Sequence, residues 1–118
     1  MIGDIMRKII FTLAVACGLL GSASVMAAGT TGDRTLANVS VTSDSYVRLE
    51  ATNNWGNPDG CDSGKFIFVD PANTAFKIMT AASLTAFAAG STVKAWVDGC
   101  YERNGTTYPI LVTLNVIN

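Results

Sequence analysis

Residues 73–90 read NTAFKIMTAASLTAFAAG, and this stretch decides the fold because it is the one segment of the chain with a helical pattern. Asp70-Pro71 and Asn73-Thr74 supply helix-start chemistry: Asn and Thr side chains accept from the free N–H groups of a first turn, and Pro is tolerated there. Ala, Lys, Met and Leu then favour the helix, and Gly90 ends it. Phe76, Met79, Thr80, Ser83, Leu84, Ala86 and Phe87 share one face at helical spacing and are expected to cover a sheet. The opposite face carries Ile78, Ala81, Ala82, Ala88 and Ala89, with Lys77 and Thr85 its main polar members. A helix apolar on both sides is usually buried twice, which a domain this small cannot do alone. Either the second face, with Ile78, Ala82 and Ala89, meets another subunit, or it is alanine-rich surface.

Outward from the helix the chain alternates at strand period. Thr35–Val41 predicts a first strand with Ala37, Val39 and Val41 inward, after a loose Gly/Thr-rich lead. Tyr46–Ala51 predicts a second, with Val47, Leu49 and Ala51 inward. Thr52–Gly64 is a long loop of turn residues carrying Trp55, and Lys65–Val69 is a short β-rich strand. After the helix, Ser91–Asp98 places Val93, Ala95 and Val97 inward and Trp96 outward. Asn104-Gly105 is a hairpin turn, and Tyr108–Ile117 alternates with Ile110, Val112, Leu114 and Val116 inward. The fold class is therefore mostly β with one helix (α+β), in the order β-β-β-α-β-β, which is that of a five-stranded OB-fold-like barrel.

The first 27 residues read as a signal peptide rather than structure. Met6-Arg7-Lys8 is a basic start, Ile9–Leu20 is apolar, and Val25-Met26-Ala27 fits a cleavage site that frees Ala28. Met6 is an alternative start to Met1, and Cys17 an alternative, lipoprotein-type cleavage point with Ala rather than Leu three residues before it. The apolar run is short for a membrane span, so none is expected after cleavage. Residues 28–118 form one small domain, exported to the periplasm or the medium. Such domains often add a disulfide, and Cys61 and Cys100 are the pair that remains.

The composition narrows the chemistry. The sequence contains no histidine, which removes the commonest general base and excludes a Ser-His-Asp triad. Asp59, Asp62, Asp70, Asp98 and Glu102 could pair as carboxylates, but none sits in a catalytic motif, so no enzyme is expected. Asn57–Asp62 offers oxygen ligands without the spacing of a calcium loop and reads as a turn; no metal or cofactor is expected. The mildly acidic balance lacks a basic patch, which argues against nucleic acid as a partner. The remaining signal is aromatic: Trp96, Tyr101, Arg103 and Tyr108 are candidate ligand contacts, because rings with polar tips suit a sugar face or a protein interface. Trp55 is expected to be partly buried as a cover for the core.

Several of these features together carry a family resemblance. The helix begins with an aromatic, Phe76, and ends in a turn at Gly90; a Val-rich strand, Val93–Val97, follows, and Thr107-Tyr108-Pro109 opens the last strand. With the signal peptide, this pattern resembles a broad group of small exported bacterial proteins and the B subunits of toxins of the subtilase-cytotoxin and pertussis type. The resemblance implies an OB-fold, a pentamer with helices around a central pore, and glycan binding on an outer face. The serine-centred sugar site of those subunits has no counterpart in this sequence. Two functions follow as expectations: an exported, non-catalytic, oligomeric binding module for a glycan, or a periplasmic structural protein whose partner is another envelope protein.

Overall fold

The computed structural model describes residues 28–117. The expected signal peptide and Cys17 lie outside the described residues. In chain order the elements are β1 (Gly29–Val41), β2 (Val47–Ala51), β3 (Phe66–Val69), α1 (Phe76–Ala89), β4 (Thr92–Arg103) and β5 (Thr106–Ile117). The described residues are mostly β with one helix. Spatial order differs from chain order: the strands lie β1-β2-β3-β5-β4, and β1 also pairs with β4, so the hydrogen-bonded circuit closes. All pairs are antiparallel except β3 with β5, which meet in parallel at Phe68 and Ile110.

The inner face follows the strand pattern where the register is regular. Val47, Leu49 and Ala51 of β2, and Val93, Ala95 and Val97 of β4, are all buried in one cluster with Ile67, Val69 and Leu111. Where the register slips, the expected pattern fails. β1 starts at Gly29, so the lead expected to be loose is paired strand, and its register shifts between Leu36 and Asn38. Leu36 is buried there, whereas Ala37 and Val41 are exposed and Val39 only half-buried, a correction to the expected inward set. In β5, Trp96 faces Thr113 and Val97 faces Leu111, which leaves Val112 as an extra residue. One extra residue reverses the phase of the alternation. Pro109 and Leu111 are therefore buried before the bulge and Leu114 packs inward after it, while Val112, expected inside, is exposed and Ile110 is only half-buried; Val116, also expected inside, shares the phase of Leu114 but is exposed near the end of the strand.

The helix closes the fold by packing against β1, β5 and β3. Asx turns lead into it rather than a side-chain cap: Asn73 Oδ1 accepts from the Ala75 N–H at 2.9 Å, and Ala75 itself occupies the N-cap. Gly90 adopts φ 64° and ends the helix as expected, with the Ser91 N–H donating to the Ala86 carbonyl. The covered stripe is narrower than the sequence suggests. Met79, Ser83 and Ala86 are buried, Phe76 packs on the core rim, and Leu84 and Phe87, expected on the covered face, are exposed. Small side chains at Ser83 and Ala86 let the helix lie close, so contact is confined to one line.

Trp55 goes further inside than expected. It is 3% exposed, belongs to the core, and its Nε1–H donates to the Leu49 carbonyl at 3.1 Å. The long loop is thus anchored by its own aromatic. Gly64 allows this, since a Cβ there would lie 2.5 Å from the Trp55 carbonyl oxygen. The loop's other anchor is the Cys61–Cys100 disulfide, with a Cα–Cα distance of 5.7 Å. Replacing both cysteines with serine should cost roughly 4 kcal/mol by the loop-entropy relation for a span of this length, measured by urea unfolding of oxidised and variant protein. An unchanged midpoint would mean that the loop holds without the bridge.

Candidate functional site: an aromatic outer face

Phe68 is fully buried, yet it is not part of the inner core. Its neighbours Ile67 and Val69 point inward, so the period-2 rule puts Phe68 and Phe66 on the outer face. What covers Phe68 is a second layer of rings. Its centroid lies 5.1 Å from Tyr101, 5.2 Å from Tyr108, 6.3 Å from Tyr46 and 6.4 Å from Phe66. Tyr46 and Tyr101 stack at 4.0 Å with planes 13° apart. Phe66 and Tyr108 are 5.6 Å apart, and Arg48 sits 4.5 Å over the Phe66 ring.

Four elements deliver these rings. Tyr46 precedes β2, Phe66 and Phe68 come from β3, and Tyr101 and Tyr108 face each other across β4 and β5. Tyr101 reaches the outer face through a bulge. Val97 opposes Leu111 and Cys100 opposes Pro109, so Asp98 and Gly99 stand against Ile110 alone. Without that extra residue the alternation from Val97 would turn Tyr101 inward. Gly99 makes the bulge with φ 83°, a conformation that favours glycine. The Asn104-Gly105 turn beyond it has positive φ at both residues, as its hairpin signal requires.

The rim of this face is charged and ordered. Asp44, in the turn before Tyr46, accepts hydrogen bonds from the Thr42 hydroxyl and the Tyr101 hydroxyl and pairs with Arg103 at 3.0 Å. These contacts, the Thr42 hydroxyl first, hold the Asp44 carboxyl well below the usual carboxylate range. The bond to Asp44, with burial second, pushes the Tyr101 phenol up. Burial, followed by the charge of Asp70, does the same to Tyr46. At neutral pH the face therefore presents the neutral phenols of Tyr46 and Tyr101, with the Asp44 carboxylate paired to Arg103 and Asp70 near Tyr46.

Three of the four sequence candidates, Tyr101, Arg103 and Tyr108, meet here. The fourth, Trp96, is exposed on β4 between Thr30 and Thr113, and among the described residues no ring contact joins it to this cluster. Tyr46, Phe66, Arg48 and Asp44 belong to the site and were not among the candidates. Alternation with inward Val47 and Leu49 puts Tyr46 and Arg48 outward, but only the pairing of β2 with β3 sets them beside Phe66 and Phe68. Of the interface candidates, Ile78 is 75% exposed, Ala89 is exposed and Ala82 is half-buried.

The loop acids serve the backbone. Buried Asp59 accepts from the Gly99 N–H at 2.6 Å, at the bulge itself. Asp62 accepts from the Thr107 N–H at 3.0 Å, and its own N–H donates to the Thr107 hydroxyl. The Asn57 amide bonds both the N–H and the carbonyl of Cys61. These groups hold the loop to β4 and β5 next to Tyr101 and Tyr108. Among the described residues no three His, Cys, Asp or Glu side chains gather as a metal site, and no helix is long and apolar enough to cross a membrane. No protein-family model and no curated protein matches the chain.

Phe68→Ala should cost about 3–5 kcal/mol in urea unfolding, the range for deleting a core phenylalanine, although the residue lies on the outer face. A loss near that of a surface substitution would mean that the ring layer does not pack. Asp44 should titrate below the ordinary carboxylate range when followed by carboxyl-carbon NMR. The sign is that of a lowered group: its contribution to stability is complete above the unfolded value and fades as the pH falls through the folded one. Tyr101→Phe should move the Asp44 midpoint up toward the ordinary value, and an unmoved midpoint would remove the phenol from the account.

Proposed function

We propose that the chain is an exported, non-catalytic binding module built on an OB-fold-like barrel, and that it binds a glycan through the outer aromatic face. The observation that carries this reading is the stacked Tyr46–Tyr101 pair, set over buried Phe68 and edged by Asp44 and Arg103. A sugar offers an apolar ring face and a rim of hydroxyls. Phenol rings suit the first, and a fixed carboxylate beside a guanidinium suits the second. The closed strand order β1-β2-β3-β5-β4, with a helix between β3 and β4, supports the OB-fold-like barrel. The disulfide supports an oxidising compartment outside the cytoplasm.

The reading extends to self-association through α1, in the five-membered ring that the toxin B-subunit resemblance implies. Exposed Ile78, Leu84 and Phe87 on a helix whose one charged residue is Lys77 support an interface there. The same residues support the second reading, an envelope protein as partner in place of a glycan. Native mass spectrometry of the oxidised protein separates the two. A pentamer that Ile78→Lys splits into monomers is expected; a wild-type monomer that cross-links to an envelope protein favours the second reading.

Binding itself is tested by a glycan array followed by calorimetric titration of the best ligand. Tyr101→Ala should weaken binding about tenfold or more, the usual cost of removing an aromatic anchor. An oxidised, folded protein that binds no glycan, or a Tyr101→Ala variant with unchanged affinity, would contradict the proposal.

A further inference from the structure

A cleft of about 360 Å³ lies away from the residues of the aromatic face, where β1, the start of β4 and the loop after β2 meet. Asp33, Arg34, Thr35, Thr52, Asn53 and Thr92 line it, and none of them is a hydrophobic residue. The fold builds this cleft. Thr35 faces Thr92 across the β1–β4 pair, and the Thr52 N–H donates to the Thr35 carbonyl at 2.9 Å, which brings three hydroxyls to one place.

Arg34 is fixed in the wall. Its Nε donates to the Asn54 carbonyl at 2.9 Å and its Nη1 to the Asp33 carbonyl at 2.8 Å. Two backbone acceptors set the plane of the guanidinium and hold no charge against it. Among the described residues its Nη2 has no partner, and neither have the hydroxyls of Thr35, Thr52 and Thr92 or the side-chain amide of Asn53. The one carboxylate of the cleft, Asp33, has Lys94 Nζ at 3.6 Å. The two lining charges, Asp33 and Arg34, cancel, and Lys94 beside Asp33 adds one positive charge at the edge of the cleft, where donors are in excess.

We propose that this cleft is a binding site for a small oxyanion, a carboxylate, sulfate or phosphate group, with Arg34 as its anchor and the threonine hydroxyls as flanking donors. An arginine already oriented by backbone carbonyls loses little freedom on binding, and its fork matches two oxygens of one anion. The site goes beyond the aromatic face and shares no residue with it.

The test is an amide NMR titration of the oxidised protein at constant ionic strength, with inorganic sulfate, inorganic phosphate and neutral glucose as separate probes. Saturating shifts confined to residues 33–35, 52–53 and 92 are expected with an anion, with no matching response to glucose. Arg34→Gln should weaken that response about tenfold or more. Thr92→Val, which keeps the β-branched shape of the strand residue, should weaken it less. Shifts that rise linearly without saturation, that glucose reproduces, or that survive Arg34→Gln in a folded protein would overturn the proposal.

Discussion

The aromatic layer of the outer face depends on one extra residue in β4, which turns Tyr101 to that side. The strand serves the interior with Val93, Ala95 and Val97, and then, past the bulge at Asp98–Gly99, serves the exterior with Tyr101. A regular strand cannot do this, because its period of two commits every second residue to the same side. The bulge divides the strand's labour between an aliphatic core inside and an aromatic layer outside. Phe68 is buried only because Tyr101 and Tyr108 arrive on its side.

A bulge is a local irregularity, and this one is held from three directions. Asp59 binds the Gly99 N–H, the disulfide fixes the next residue, Cys100, and Asp62 clamps Thr107 on the facing strand. All three holds come from the loop between β2 and β3, which Trp55 in turn ties to the core. The loop that looks least structured in composition is thus the part that positions the rings. Its two acidic residues, Asp59 and Asp62, are both absorbed in this task. A polar rim of Asp44, Arg103 and Arg48 then gives an otherwise greasy patch the specificity of directed hydrogen bonds.

Much of this was legible in the residues. The helix, its glycine stop, the Asn104-Gly105 turn, the inward faces of β2 and β4 and the cysteine pair all follow local rules that the structure obeys. The failures have two causes. Val112 was assigned inward because alternation was extended through a bulge, which leaves little trace in a run of β-branched residues, whereas Val41, opposite buried Val47, is exposed because β1 ends there. The aromatic face was half legible: outward positions follow from alternation, but which of them are neighbours follows from strand order, and β3 beside β5 is a non-local choice. For the same reason Trp96, outward on the same strand as Tyr101, stands apart from the group it was placed in.

The central claim is that the outer aromatic layer is a prepared binding surface. Aromatic-carbon NMR of the oxidised protein, recorded with and without the strongest glycan ligand found by array, tests this most directly. The account predicts shifts on the rings of Tyr46, Tyr101, Tyr108 and Phe66, with Trp55 unmoved in the core. Shifts confined to Trp96 or to Phe87 of the helix, with the four rings silent, would contradict it.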